Sequence, residues 1–261
     1  MVHNEVFVSK RCRGHNPGSV TKIQYQTSAK SREKKIKMMI IFIYLFQKNR
    51  IFSCEFGSKK KMKNFTEPLI ENGVFHIYTR GIDKKPIFLS DRHFRTFLWK
   101  YQKKVHPYVD TYAFCLLNNH FHLLIRIKTY EEIDKLTQLK SLPKPKGKVG
   151  LFISRVLGDL LNSHAQMFNR ATSRTGGLFE SPFRRKPVDS YQYLTHLIKY
   201  IHLNPVNHET SGNYEFYPYS SYQEYLKFKP RIINKKEGLS FFGNLELFEK
   251  FHETDTASEN K

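Results

Sequence analysis

His120 and His122 stand two residues apart within Asn118 to Ile127, an otherwise mostly apolar run. On a strand, side chains alternate between faces, so Phe121, Leu123, Ile125 and Ile127 point one way and His120, His122, Leu124 and Arg126 the other. Two neutral imidazoles side by side can hold one divalent ion, but they are too few for a complete site and a third ligand must come from elsewhere. Alone the pair is a weak signal, because two unligated histidines give the same pattern. Tyr200 and Asn204 are four residues apart, so they share one face of the helix predicted after Ser190. A phenol there is an oxygen nucleophile, and the amide oxygen of Asn204 suits a hard or borderline cation. Each also has a plainer reading: Tyr200 packs, and Asn204 closes the helix before Pro205.

The elements that must position these groups are legible in outline. Val74 to Arg80 is rich in β-branched and aromatic residues and ends at Gly81, as a strand does. Ser90 caps a helix carrying Phe94, Phe97, Leu98, Tyr101 and Val105 at helical spacing as far as Pro107. Tyr112 to Leu117 and His120 to Ile127 read as antiparallel strands joined by Asn118 and Asn119, residues that tolerate the left-handed conformations of a tight hairpin. A short helix over Tyr130 to Lys140 and a basic loop over Pro143 to Lys148 precede a long helix over Leu151 to Asn169. Leu178 to Pro187 is a loop or short strand. The last helix is capped by Asp189 or Ser190, with Gln192 completing a capping box from Asp189. It turns Leu194, Leu197, Ile198 and Ile201 inward and is expected to end at Pro205. This order predicts an α+β fold, a ferredoxin-like (RRM-like) antiparallel sheet with helices on one face, the His pair on a central strand and the tyrosine on a later helix.

With 261 residues and 31.0 kDa the chain can bury a sizeable core, and its composition excludes collagen-like, wholly disordered and polytopic membrane classes. A formal charge of +21 and a pI near 9.8 point to a polyanionic partner, nucleic acid first. Cys12, Cys54 and Cys115 form neither a disulfide framework nor a zinc knuckle, which fits a reducing, cytoplasmic setting. The longest apolar run, Met38 to Phe46, is too short to span a bilayer, so no membrane partner is expected. Residues 1–61 carry 14 Lys or Arg against 3 acidic residues, leaving 30 against 20 for the remaining 200. Two readings of this basic leader stay open: a disordered DNA-binding arm, or a misassigned start with Met62 as the true one. Residues 62–228 form the expected domain, and 229–261 a partly frayed C-terminal extension.

Four motifs in order, from about Glu71 to Tyr225, carry a resemblance. They are Val74 to Asp83 with Pro86 to Phe88, Leu117 to Leu124, Gly177 to Phe179 with Phe183 to Lys186, and Lys199 to Val206. Together they resemble the single-tyrosine transposases of the His-hydrophobic-His superfamily, in particular those associated with repetitive extragenic palindromes. The resemblance implies Tyr200 as nucleophile, His120 and His122 as metal ligands, and Asn204 as the third ligand, where the family often has Gln. It also implies Mg²⁺ or Mn²⁺ as cofactor and single-stranded DNA bearing a hairpin as substrate, cleaved and rejoined through a 5′-phosphotyrosine. Glu180 to Pro182 departs from the family, which more often carries a Gln-Gly-Arg type sequence there. Arg184, Arg185 and Lys186, with Lys144, Lys146 and Lys148, are expected to track phosphates, Arg80 and Arg126 to lie near the site, and Phe179 and Phe183 to stack on bases. Monomer and homodimer are both open. Two alternatives to the transposase remain, a non-catalytic hairpin or single-strand binder and a metal-dependent hydrolase that uses water.

Overall fold

Val, Ile and aromatic residues dominate Val74–Arg80, which forms strand β1 and pairs on both edges. The computed structural model describes residues 67–254; the expectations for the leader, for Cys12 and Cys54 and for a start at Met62 lie outside the described residues. After β1 come helix α1 (Asp91–Lys104), the hairpin strands β2 (Val109–Leu117) and β3 (His120–Ile127), helices α2 (Tyr130–Lys140) and α3 (Val149–Ala171), and the short strand β4 (Arg184–Pro187). Helix α4 (Tyr191–Asn207) follows, then α5 (Tyr222–Leu226), α6 (Lys235–Ser240) and α7 (Leu245–Glu253). The sheet is antiparallel throughout, in the order β2-β3-β1-β4, which is the ferredoxin-like arrangement.

The two sheet faces differ in chemistry. Phe75, Ile77, Phe121, Leu123 and Ile125 are at most 2% exposed and pack under α1 and α3, with the Phe97 and Phe121 rings 5.2 Å apart. His76, Tyr78 and Arg80 of β1 pair across the sheet with Leu124, His122 and His120 of β3, so they share the opposite face. Helix α4 lies on that second face, with its Tyr200 ring 5.8 Å from that of His122, and packs mainly against β2. Helices therefore occupy both faces, not one: the crossover helices cover the apolar face, and α4 covers half of the other because its own apolar stripe, Leu194, Leu197, Ile198 and Ile201, needs burial.

Local chemistry differs from expectation at three points. Neither Asn118 nor Asn119 has a positive φ. Their main-chain carbonyls tie the turn to the segment after β1 instead: Asn118 O accepts from the Ile87 and Phe88 N–H groups at 2.7 and 3.0 Å, and Asn119 O from Gly81 N–H at 2.8 Å. At the start of α4 the cap is Ser190, whose Oγ accepts from Tyr193 N–H at 3.2 Å; the Asp189 capping box does not form. At its other end, Pro205 does not terminate the helix. The proline deprives only the Ile201 carbonyl of its N–H donor, and His208 N–H then donates to Asn204 O at 3.0 Å, closing a further turn.

Residues beyond 228 contribute Ile232, Ile233, Phe241 and Phe248 to the same core. A buried chain of hydrogen bonds fixes α7 to α4. Because a carbonyl only accepts, His252 Nδ1–H donates to Phe248 O (2.8 Å), leaving Nε2 to accept from His202 Nδ1–H (2.9 Å); His202 Nε2 then accepts from Ser221 Oγ–H (2.7 Å). Burial keeps both rings neutral, pushing His252 down to about 4 and His202 well below its ordinary value. Among the described residues, no helix is long and apolar enough to cross a membrane.

Candidate active site

Pairing on β1 and β3 sets His120 opposite Arg80 and His122 opposite Tyr78. Gly81 ends β1 in a close turn: a Cβ there would lie 2.1 Å from Lys85 O, so the chain can fold back against the hairpin. A cleft of about 500 Å³ opens at this end of the sheet. Its walls include Tyr78, Arg80, His120, His122, Glu180, Arg184, Tyr200 and His208. Residues from β1, β3, the approach to β4 and α4 thus meet in one concavity, and Tyr200 is 44% exposed in it.

The hydrogen bonds of the histidines determine which nitrogens face the cleft. Asn119 Nδ2 donates to Lys84 O, which turns its Oδ1 toward His120 Nδ1 at 2.6 Å. His120 must therefore donate from Nδ1 and keep its Nε2 lone pair. His122 Nδ1 is 2.8 Å from Nε2 of His76, with the two rings stacked, so the Nε2 of His122 is again the nitrogen left for a ligand. Burial is the main reason these rings stay neutral. His120 is pushed down to about 4, with His208 adding to the shift, and His76 to about 4 with help from Lys186; His122 falls well below its ordinary value, with His76, His120 and His208 adding to burial. Uncharged imidazoles with an exposed lone pair are the form that binds cations.

Asn204 is fully buried, and its Nδ2 donates to the Tyr200 carbonyl at 2.7 Å. That bond leaves Oδ1 buried without a partner. An unsatisfied buried acceptor typically costs ~1–3 kcal/mol, so it marks a position that a donor or a cation would complete. Asn204 also acts on the His120 ring, drawing its pKa up against burial, although Oδ1 meets no donor in hydrogen-bonding geometry. No group of three or more His, Cys, Asp or Glu side chains able to hold a metal ion occurs among the described residues. A divalent ion here would need the amide oxygen as well as His120 and His122, and the donor set of two neutral imidazoles and one unpartnered oxygen fits that demand.

The expected cations do not act as one surface. Arg80 and Arg184 line the cleft, both facing Glu180. Strand alternation turns Arg185 to the apolar side, where it donates to Ser154 Oγ at 2.6 Å. Lys186 returns to the site face but lies over the Tyr193 ring at 4.6 Å. Arg126 lies outside the cleft, held by Asp110, its cross-strand partner, and by Glu132 of α2. Lys144, Lys146 and Lys148 are exposed outside the cleft, Lys144 paired with Asp134 at 2.6 Å. Phe179 turns to the apolar side: its ring lies 6.3 Å from Phe121 and 5.9 Å from His164. Phe183 is half-buried, with the Arg185 guanidinium 5.2 Å from its ring.

No protein-family model matches the chain, and no curated protein sequence does. Among solved structures, a REP-associated tyrosine transposase bound to a REP hairpin is similar at a TM-score of 0.43 and 14% identity, over 63% of this chain and 86% of that one. The relation is a distant one.

Two cleft residues, His208 and Glu180, escape sequence reasoning. His76, a histidine without a partner two residues away, reads in the sequence as a structural or ligand-supporting residue; which ring it supports shows only in the diagonal contact to His122 across the β1–β3 pair. His208, whose ring is 4.7 Å from that of His120, lies beyond Pro205, the expected end of the helix. Glu180 stands out in the sequence as a departure from the resemblance, but nothing local in the sequence joins it to Arg80 and Arg184.

Proposed function

We propose that this chain is a metal-assisted tyrosine DNA nickase and strand transferase, a transposase acting on single-stranded DNA that bears a hairpin. The observation that supports this reading is that Tyr200, His120 and His122 share one cleft, with an unpartnered buried amide oxygen, that of Asn204, on the tyrosine's own helix. Arg80 and Arg184 on the cleft wall hold the backbone of the strand by its phosphates, and Tyr200 Oη attacks the scissile phosphorus in line. The bond from Oη to phosphorus forms as the bond to the 3′ oxygen breaks; the phenol gives up a proton, and the departing oxygen takes one up. A 5′-phosphotyrosine and a free 3′-hydroxyl result. Because one phosphodiester replaces another, the 3′-hydroxyl of a second end can reverse the step without an external energy source. His120 Nε2, His122 Nε2 and Asn204 Oδ1 would hold Mg²⁺ or Mn²⁺, which supplies Lewis-acid neutralisation of charge developing on the phosphate when bound. Asn119 and His76 fix the ring orientations and present the lone pairs that this requires.

The test is a covalent adduct on a denaturing gel. Wild type incubated with a hairpin-bearing single-stranded oligonucleotide and Mg²⁺ or Mn²⁺ should become covalently attached to the 5′ side of the break. Tyr200→Phe should bind the same oligonucleotide but lose adduct and cleavage, by roughly 10³-fold or more. Binding by wild type with no adduct would establish the non-catalytic binder instead, and full cleavage by Tyr200→Phe the water-using hydrolase.

A further inference from the structure

The chain carries its own anion inside the cleft. Glu180 Oε1 lies 2.5 Å from Arg80 Nε, and Oε2 lies 3.9 Å from an Arg184 terminal nitrogen, so one carboxylate faces two guanidinium groups. All three line the same cavity as Tyr200 and His120. The carboxylate is not there by side-chain wandering. Glu180 N–H donates to Arg80 O at 2.8 Å, Thr79 Oγ1 donates to Glu180 O at 3.1 Å, and Gly81 bridges to Phe179, so the backbone bearing it is stitched along the end of β1.

The geometry points to a phosphodiester subsite formed by Arg80 and Arg184 that Glu180 occupies until a substrate strand displaces it. This rests on the proposed DNA-cleaving function and adds the residue that sets how strongly the cleft takes a phosphate. A phosphodiester group matches the carboxylate in charge and in offering two acceptor oxygens, and guanidinium forks bind both alike. The three side chains are 47%, 43% and 30% exposed for Arg80, Arg184 and Glu180, and partly solvated ion pairs of this kind contribute little. Displacement of the carboxylate is therefore easy, but its charge stays beside the incoming phosphate and opposes it. Glu180 thus selects for strands whose other contacts, such as a hairpin, add enough to overcome that repulsion.

The test measures binding of a fluorescein-labelled, hairpin-free single-stranded oligonucleotide by anisotropy, using the full chain without divalent metal, from 50 to 200 mM NaCl. Glu180→Gln should bind about 3- to 10-fold more tightly at the low-salt end, and its plot of log affinity against log salt should steepen by about 0.7, as one more phosphate is neutralised. Combining Glu180→Gln with Arg80→Gln should abolish most of that gain. Wild type that binds with a slope and affinity equal to those of Glu180→Gln would overturn the subsite while leaving the DNA-cleaving function standing. Weaker binding by Glu180→Gln would also overturn it, showing that the carboxylate orients the arginines rather than opposing the phosphate. No binding by either protein, even at 50 mM NaCl, would overturn both.

Discussion

The two faces of the sheet are built from the same strands and do opposite work. On β1, Phe75 and Ile77 go into the core under α1 and α3, while His76, Tyr78 and Arg80 between and beyond them line the other side. On β3, Phe121 and Leu123 are core, and His120 and His122 border the cleft. One face is fully covered and apolar; the other is covered by α4 only over its β2 half, which leaves the end of β1 and β3 open. A two-residue period thus separates the core from the cleft at the spacing of one peptide unit, and single substitutions should separate their effects too.

Truncating the covered face should do the most damage. Phe121→Ala removes a ring that is 2% exposed and should lower the unfolding free energy by about 3–5 kcal/mol in urea titrations, while the protein that remains folded still forms adduct through Tyr200. A loss below ~1 kcal/mol would mean that this face is not the stabilising one.

Acid sharpens the contrast. His164 on α3 is fully buried, donates from Nε2 to Ile87 O at 2.8 Å, and is pushed down to about 4 chiefly by burial. The unfolded chain takes up this proton near 6.5 and the folded chain refuses it, so the stability His164 supports is complete above 6.5 and drains away as pH falls toward 4. His164→Leu should therefore flatten the dependence of stability on pH between 6.5 and about 4.5 by ~1.4 kcal/mol per pH unit, measured as urea midpoints at several pH values. An unchanged slope would mean that the folded chain takes up this proton as readily as the unfolded chain does.

The smallest expected effect lies on the open face. His76→Phe keeps a ring of similar size under Tyr78 but deprives His122 Nδ1 of its partner. Calorimetric titration with Mn²⁺ should show a 10- to 100-fold weaker affinity, on the scale of other lost ligand-orienting contacts, with the melting temperature little changed. A large fall in melting temperature with unaltered affinity would reassign His76 to the core.

Much of this fold could be read from the chain because alternation on β1 and β3 and the three- and four-residue spacing on α1, α3 and α4 report burial directly. Readings failed where one local rule competed with another. Asparagines at a hairpin suggest left-handed backbone that this turn does not use, and Pro205 suggests a helix end although the loss of one donor does not stop α4. Arg184, Arg185 and Lys186 read as one basic stretch, but on a strand neighbouring cations point apart.

Side-chain direction within one element follows from the backbone geometry of that element, so the shared face of His120 and His122 is legible from spacing alone. Contacts between elements follow from how the sheet and its helices close on one another, and no short stretch of residues encodes that. His76 reaches His122 over 46 positions, Glu180 meets Arg80 over 100, and His252 anchors the tyrosine helix over 50. Packing the apolar face brings these pairs together, because the strands cannot bury Phe75 and Phe121 on one side without aligning the histidines and arginines on the other.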